Sequence, residues 1–184
     1  ARKFRERFGI VARVIPPLFD KAAYLSDRKP ENVTFINPRT LKGDDLAFEL
    51  VARCPEIPFC FLESWLLSEE QIARIRDFMR THKNLSLRRR TTALNEVYRR
   101  AKIVLVPSQW EEAWGRVVTE AQYSGIPILA SNRGGLPESV GPGGFLLDPD
   151  GPVEAWVEIL RKLWHDDAHY SDLSARALAH AARH

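Results

Sequence analysis

Cysteine and long hydrophobic runs are scarce in this sequence, and each scarcity excludes a class of protein. Cys54 and Cys60 are the only thiols among 184 residues, and their segment, CPEIPFC, has no second cysteine pair or histidines nearby. A zinc site needs such ligands, so zinc is excluded here. The thiols fit a reducing compartment, which predicts a cytoplasmic protein. No apolar run approaches the roughly 20 residues of a membrane span, so no transmembrane segment is predicted.

Charge of one sign is also scarce. The sequence has 27 basic and 24 acidic residues, which leaves a formal net charge of +3. This gives anionic ligands a mild attraction but does not indicate a nucleic-acid partner, and none is predicted. The hydrophobic and charged fractions, 45% and 28%, are ordinary for a folded domain and argue against disorder. No G-x-G-x-x-G motif follows the first predicted strand, which disfavours a dinucleotide-binding oxidoreductase.

Short apolar runs alternate with helical patterns from residue 33 onward. Near-continuous apolar strands of this kind are typical of a parallel sheet that is covered on both faces. We therefore predict a Rossmann-like doubly wound α/β domain over residues 31–184, with a parallel sheet of about six strands and helices on both faces. Residues 1–30, which include a short strand predicted over 11–15, are interpreted as a linker or the remnant of a preceding domain. The six strands are predicted at 33–37, 57–62, 85–87, 103–107, 126–130 and 143–148.

Capping residues predict where several helices begin. Asp44 or Asp45 can cap the helix that follows the first strand. Ser68 with Gln71 forms a capping-box pattern at the start of another helix. Ser171 is predicted to cap an alanine-rich final helix.

Two histidines near the end of the chain raise the question of a metal. His165 and His169 are four apart with two aspartates between them. The pair falls at a predicted junction between helices, where a solvated polar corner is the favoured interpretation. No metal site is predicted.

The stretch 104–138 is the most informative part of the sequence. It predicts a buried strand, a loop rich in acid and tryptophan, and a helix that opens just after Gly115. Glu112 lies in that loop and Glu120 in the helix. A loop can fold Glu112 back toward the start of the helix, where backbone amides and the dipole favour an anion. The combination predicts a site for a phosphorylated, polyhydroxylated ligand.

Lys42, in the loop after the first strand, is the second candidate. Lysine can meet a diphosphate as a point charge, and Gly43 lets the following backbone come close. In a doubly wound sheet, ligands bind outside the carboxyl ends of the strands. The loops after residues 37, 62, 87, 106 and 130 are therefore expected to line one site. The third of them contains the basic run from Arg88 to Arg90.

Each of these features also has a purely structural interpretation. Glu112 and Glu120 can be surface acids that stabilise a helix N-terminus. Trp110 and Trp114 can simply cover the core, and Gly115 can be an ordinary helix-entry glycine.

Four blocks of the sequence, in order, resemble one family. The block EAWGRVVTE resembles the E-x7-E pattern of the retaining family 4 glycosyltransferases, which have the GT-B fold. On either side, VYRRAKIVLVPSQWEE and SGIPILASNRGGLPESV resemble the neighbouring blocks of that family, and VTFINPRTLKG resembles its first strand and lysine loop. The resemblance covers about residues 10–180.

The resemblance implies roles for individual residues. Glu120 would hold the ribose of a nucleoside-diphosphate sugar, and Glu112 the hydroxyls of the donor sugar. Lys42 would neutralise the diphosphate leaving group, so Glu112 and Lys42 are the catalytic candidates. Arg39 can substitute for an arginine that many relatives carry five residues before this lysine, a position held here by Asn37. The remaining donor-binding candidates are Arg88, Trp114, Gly115, Arg116 and Val117.

The resemblance also implies the organisation of the whole enzyme. This chain would be the nucleotide-sugar-binding C-terminal half of a two-domain hexosyltransferase, and its start at Ala1 suggests a piece of a longer protein. The other domain would bind a glycan or lipid-linked acceptor, so the isolated chain is expected to bind donor weakly and transfer little or no sugar. No metal or cofactor is expected, and a role in polysaccharide biosynthesis and peripheral association with a membrane stay open.

Two alternatives to a sugar transferase are left open. One is a related GT-B enzyme, such as a phosphorylase or a nucleotide-sugar epimerase. The other is a non-catalytic nucleotide-binding module.

Overall fold

A computed structural model describes residues 2–11 and 17–184 of the chain, with residues 2–4 described by their backbone only. Six strands form one sheet in the order β3-β2-β1-β4-β5-β6, and all five neighbouring pairs are parallel. This confirms the predicted doubly wound parallel sheet. The strands are β1 (Asn32–Ile36), β2 (Phe59–Leu62), β3 (Leu85–Arg88), β4 (Ala101–Val106), β5 (Ile128–Ser131) and β6 (Gly144–Leu147).

Helices connect these strands and extend beyond the last one. Short 3₁₀ helices occupy Lys21–Ala23, Thr40–Lys42 and Gly141–Gly143. The strand predicted over residues 11–15 falls, except for residue 11, outside the described residues. The α-helices are α1 (Arg2–Phe8), α2 (Asp44–Arg53), α3 (Glu69–Thr81), α4 (Leu94–Arg100), α5 (Arg116–Gln122), α6 (Leu136–Val140), α7 (Val153–His165) and α8 (Asp167–Ala181).

The core lies on both faces of the sheet, as predicted from the strands. On one face, α2, α3 and α7 pack against alternate side chains of β1 and β2 such as Phe35 and Phe61. On the other face, α4, α5 and α6 cover Val104, Ile128 and Ala130. Because side chains alternate along a strand, a strand that is covered on both faces has to be apolar throughout, which explains the continuous apolar runs.

Two predicted helix caps are wrong. Helix α8 begins at Asp167, and its cap is Asp166, whose carboxylate accepts a hydrogen bond from the His169 amide; Ser171 lies inside the helix. Helix α2 has Gly43 at its N-cap position in a left-handed conformation, without a side-chain cap, and Asp44 is its first residue. The Ser68–Gln71 capping box is confirmed, with both of its hydrogen bonds present.

The segment just before β1 is bonded to the body of the domain. The Arg28 guanidinium donates to the carbonyl oxygens of Ala101, Ser124 and Gly125 at 2.7 to 3.1 Å and to the Tyr170 hydroxyl at 2.8 Å. The backbone continues this attachment, because the Lys29 and Glu31 amides donate to the carbonyls that close α4. Residues 28–31 are therefore part of the packed structure.

Candidate functional site

The candidate site lies where the strand order changes direction. Strands β1 and β4 are neighbours at the centre of the sheet, and the chain proceeds outward from them to β2 on one side and β5 on the other. In doubly wound sheets this switch point opens a crevice at the carboxyl ends of the strands. The loop after β1 carries Lys42 and the loop after β4 carries Glu112, so the predicted catalytic pair flanks the crevice.

The Lys42 loop is packed against the start of the Glu112 loop. Gly43 has φ 83°, and a β-carbon at this position would come within 1.9 Å of the Pro107 carbonyl oxygen. The Leu41 carbonyl accepts hydrogen bonds from the Gln109 and Trp110 amides, both at 3.1 Å. Glycine is thus required here for close approach, and the two loops form one surface.

Lys42 and Glu112 contact each other directly. The Lys42 Nζ forms an ion pair with Glu112 Oε1, and the Ser108 hydroxyl donates to the same oxygen at 2.6 Å. The two side chains are 25% and 13% exposed, so the pair is accessible to a ligand without being fully in water. In this arrangement a ligand phosphate can replace Glu112 as the partner of Lys42, and a ligand hydroxyl can replace Lys42 as the partner of Glu112.

The glycine pair after β5 holds the Glu112 loop from its other side. The Gly135 amide donates to the Glu112 carbonyl at 2.6 Å. A β-carbon on Gly134 or Gly135 would lie within 2.3 Å of a carbonyl oxygen of that loop. Three consecutive carboxyl-end loops therefore fix the backbone around Glu112.

Glu120 occupies a separate, more buried position on α5. It is 6% exposed, and its Oε2 accepts a 2.8 Å hydrogen bond from the Tyr98 hydroxyl on α4. Its Oε1 lies 3.5 Å from Arg116 Nε. Burial raises the pKa of Glu120 above its ordinary value, against the hydrogen bond from Tyr98 and the charge of Arg116. The sequence did not signal Tyr98, which lies 22 positions from Glu120.

The residues at the start of α5 divide between core and surface. The Trp114 indole is buried and donates to Thr119 Oγ1 at 3.0 Å, which confirms that this tryptophan covers the core. The same interpretation is wrong for Trp110, which is 54% exposed. Gly115 has φ 77° at the N-cap position of α5.

Arg116 and Val117 follow at the first two positions of α5. The Arg116 guanidinium lies over the Phe19 ring at 4.7 Å and contacts the Leu18 carbonyl as well as Glu120. Val117 is half-buried and packs at the edge of the core. The described contacts of Arg116 are therefore with Glu120 and the segment before β1.

Asn37 and Arg39 hold the loop after β2, one of the loops predicted to line the site, although the sequence pointed to no individual residue in it. The Trp65 amide donates to Asn37 Oδ1 at 3.4 Å, and the Arg39 guanidinium donates to the Leu66 carbonyl. Trp65 is 61% exposed, with Arg39 and Lys42 about 6 Å from its ring centroid (5.9 and 6.0 Å). The contact between the exposed Trp65 and Asn37, which has φ 63°, indicates that this loop belongs to the candidate site. The two residues are distant in the sequence, so only the folded structure shows the contact.

The loop after β3 is fixed by a buried acid. Glu63 forms an ion pair with Arg89 at 2.8 Å, and its amide donates to the Arg88 carbonyl at 3.0 Å. A hydrogen bond from the Leu67 amide, together with Arg89, lowers the pKa of Glu63. Arg88 itself is half-buried at the end of the strand.

Residues 2–11 and 17–184 contain neither a candidate metal site nor a candidate membrane-spanning helix. No group of three or more His, Cys, Asp or Glu side chains there is arranged to hold a metal ion. His165 ends α7 and His169 lies in the first turn of α8, so the predicted helix junction is confirmed. None of the helices in these ranges has the length and apolar character needed to cross a membrane.

Solved structures share this fold. A sucrose-phosphate synthase from Thermosynechococcus elongatus superimposes with a TM-score of 0.82 over 99% of this chain and 51% of its own, at 20% identity. Anabaena HepE, crystallised with UDP-glucose, gives a TM-score of 0.78 over 90% of this chain and 51% of its own, also at 20% identity. The chain therefore has the fold of half of a GT-B glycosyltransferase.

Relatives found by sequence have a higher identity to this chain than these solved structures do. A D-inositol 3-phosphate glycosyltransferase from Rhodococcus jostii is 33% identical over an aligned length of 170, and the alignment covers 84% of this chain and 37% of the relative. One from Corynebacterium kroppenstedtii is 40% identical over 92 residues, which are 49% of this chain and 20% of the relative. The chain thus spans well under half the length of these curated relatives. Residues 72–180 match the family model of the group 1 glycosyl transferases, and the chain belongs to that family.

Proposed function

We propose that this chain is the donor-binding C-terminal domain of a glycosyltransferase. The enzyme would move a sugar from a nucleoside diphosphate to a glycan or lipid-linked acceptor with retention of configuration. The observation that carries the proposal is the Lys42–Glu112 contact across the switch point of the sheet. It puts a cation and a carboxylate where ligands of doubly wound sheets bind. The complex of HepE with UDP-glucose supports a nucleotide sugar as the ligand.

Glu112 and Lys42 would act on the two sides of the bond that breaks. Glu112 would accept hydrogen bonds from the hydroxyls of the donor sugar. Lys42 would neutralise the diphosphate, an electrostatic effect that grows as negative charge develops on the leaving group. Since Lys42 and Glu112 form an ion pair in the protein alone, a donor would give each a new partner, with the diphosphate at Lys42 and sugar hydroxyls at Glu112.

The remaining residues would hold the nucleotide. Glu120 would accept from the ribose hydroxyls, and the loop that begins at Arg88 would meet the base. Asn37 and Arg39 would act by fixing the Trp65 loop beside the diphosphate. The backbone of Trp114, Gly115, Arg116 and Val117 would face the sugar and diphosphate.

Turnover would require more than this chain supplies. We propose no metal or cofactor, because Lys42 provides a cation at the leaving group. The acceptor would be bound by a second domain across the crevice. The chain alone is expected to bind donor and to transfer little or no sugar, and peripheral association with a membrane would come with a lipid-linked acceptor.

Calorimetric titration tests the proposal. UDP, GDP, ADP and their glucose conjugates are titrated into the chain, and the tightest ligand is then titrated into Lys42→Ala and Glu120→Ala. A charged hydrogen bond contributes about 1.5–3 kcal/mol, so each variant is expected to lose about tenfold or more in affinity. Lys83→Ala and Glu158→Ala are matched controls, because both side chains are exposed and lie away from the carboxyl-end loops.

Three results would contradict the proposal in different ways. Absence of binding by all six ligands would favour a non-catalytic module without a donor site. Equal losses in the site variants and the two controls would remove the assigned roles. Sugar transfer by the isolated chain would overturn the need for a second domain.

A further inference from the structure

We propose that Tyr98 is a positioning residue, which holds the Glu120 carboxylate in the orientation that accepts the ribose hydroxyls of a nucleoside diphosphate. The inference rests on the proposed function, because it assumes that such a ligand reaches Glu120. It adds a second helix, α4, to the nucleotide site, where the sequence pointed only to α5. Tyr98 itself would touch no ligand atom, since it is fully buried.

Each carboxylate oxygen of Glu120 has one described partner within 3.5 Å, and a hydrogen bond from the Tyr24 hydroxyl also acts on this carboxyl and helps to lower its pKa against burial. Tyr98 donates to Oε2 at 2.8 Å, and Arg116 Nε lies 3.5 Å from Oε1. A carboxylate has about four acceptor positions, so these contacts leave at least one for a ribose hydroxyl. Arg116 is half exposed, whereas Tyr98 is not. The tyrosine is therefore the rigid member of the pair of contacts.

Tyr98 is held in place by its own surroundings. Its ring belongs to the core on the α5 side of the sheet, and the Tyr24 ring meets it edge-on at a centroid distance of 6.3 Å and an angle of 70°. Burial, with the neighbouring Glu120 carboxylate, raises the pKa of Tyr98 well above its usual value. The hydroxyl thus stays protonated and remains a donor wherever Glu120 is a carboxylate.

A buried carboxylate with three side-chain torsions needs such a contact to keep one orientation. Without the hydroxyl, burial would favour rotation of Glu120 toward Arg116 and the solvent, away from the position that it holds on α5. The loss would appear in the recognition of ribose. It would not appear in contacts with the diphosphate or the base.

The test compares ribose recognition in Tyr98→Phe and in the unchanged chain. UDP, GDP and ADP are titrated first, and the tightest is then compared with its 2′,3′-dideoxy form. The unchanged chain is expected to prefer the ribonucleotide, and Tyr98→Phe is expected to reduce that preference about five- to tenfold, the effect of one hydrogen bond. Its affinity for the dideoxy form should stay within about twofold. Tyr170→Phe is the matched control, because its hydroxyl bonds Lys102 and Arg28, away from Glu120.

The outcomes separate this inference from the proposed function. If the unchanged chain binds none of the nucleotides, or does not distinguish ribose from dideoxyribose, the assigned role of Glu120 in nucleotide binding is wrong. If it does distinguish them and Tyr98→Phe keeps the full preference, only the role of Tyr98 is wrong. A purely structural Tyr98 would lower the affinity for both forms equally, which also overturns the inference.

If Tyr98→Phe does not fold, a measurement on the unchanged chain tests the inference instead. The ¹³C resonance of the Tyr98 Cζ, which carries the hydroxyl, reports on the hydrogen bond to Glu120. It is expected to shift when the ribonucleotide is added and to stay in place with the dideoxy form. Equal shifts with both ligands would contradict the inference.

Discussion

Gly43 lies so close to Pro107 that a β-carbon would come within 1.9 Å of the Pro107 carbonyl oxygen. Gly43 also has φ 83°, a conformation that costs residues with a β-carbon about 1–2 kcal/mol. We expect Gly43→Ala to lower the free energy of unfolding by about 2–4 kcal/mol, measured by urea titration, since the loops must also separate. Gly151→Ala is the control: its β-carbon would lie 3.2 Å from the nearest atom, and a loss under about 1 kcal/mol is expected. Equal losses would contradict the close packing of the two loops.

Glu112→Gln is predicted to change the preference between a nucleotide and its sugar conjugate. In the protein, Glu112 is the ion-pair partner of Lys42, so its neutralisation leaves the lysine more available to a phosphate. Affinity for the nucleoside diphosphate alone should therefore stay the same or rise. Affinity for its glucose conjugate should fall about tenfold, because the carboxylate that accepts the sugar hydroxyls is lost. Calorimetry with both ligands measures the ratio.

The exposure of this pair sets the expected effect on stability. Both side chains are partly in water, so the pair contributes little to folding, and Glu112→Gln should change the free energy of unfolding by about 1 kcal/mol or less. Glu158→Gln is the matched control for both measurements. A large loss of stability with an unchanged preference would assign Glu112 a structural role instead.

Arg28→Met tests whether the segment before β1 is part of the folded domain. The guanidinium bonds three backbone carbonyls and the Tyr170 hydroxyl, and removing it leaves these groups without that donor. We expect a loss of about 2–4 kcal/mol in the free energy of unfolding. Arg80→Met is the control, because its described contact is an exposed ion pair with Asp77 at 3.5 Å, away from this segment, and its loss should be under about 1 kcal/mol. Similar losses in both variants would indicate that the segment is a loosely attached linker.

The fold could be predicted because each strand carries its own signal. All six predicted strands overlap the observed ones. The clearest signals come from the inner strands β2, β4 and β5, which are largely apolar because both of their faces are covered. Helix starts are harder to predict than strands, because more than one nearby residue can serve as the N-cap. Ser171 and Asp166 are both good caps, and the single-residue junction after His165 selects Asp166. Gly43 occupies the N-cap position of α2 in a left-handed conformation, so Asp44 is the first residue of the helix.

The site was only partly visible in the sequence. Glu112 and Lys42 are identified by position, because both follow strands whose carboxyl ends meet. The contacts that support the candidate site depend on packing between segments that are distant in the sequence. The bond from Tyr98 to Glu120, the contact of Arg116 with Phe19 and the support of Trp65 by Asn37 each join separate elements, and no local pattern encodes them.

Glu120→Gln is predicted to stabilise the domain at neutral pH while it weakens nucleotide binding. Burial raises the pKa of Glu120, so the folded chain binds this proton more readily than the unfolded chain does. The free energy of unfolding therefore falls as the pH rises from the ordinary pKa of 4.5 through the raised pKa of the folded chain. Below pH 4.5 Glu120 is protonated in both states, and its burial no longer lowers stability. Glutamine removes the buried charge and keeps an oxygen for the Tyr98 hydroxyl. The expected gain at pH 7.5 is about 0.5–2 kcal/mol.

Urea unfolding at pH 7.5 and pH 4.5 measures this prediction. The gain of Glu120→Gln over the unchanged chain should shrink as the pH falls, because the unchanged chain then carries a neutral Glu120 as well. Glu158→Gln, on an exposed turn of α7, is expected to change stability by under about 0.5 kcal/mol at both pH values. A gain that is larger at the lower pH, or a loss at pH 7.5, would show that the bonds from Tyr98 and Arg116 outweigh burial. In that case the carboxylate stabilises the fold, and its place beside Tyr98 needs no ligand to explain it.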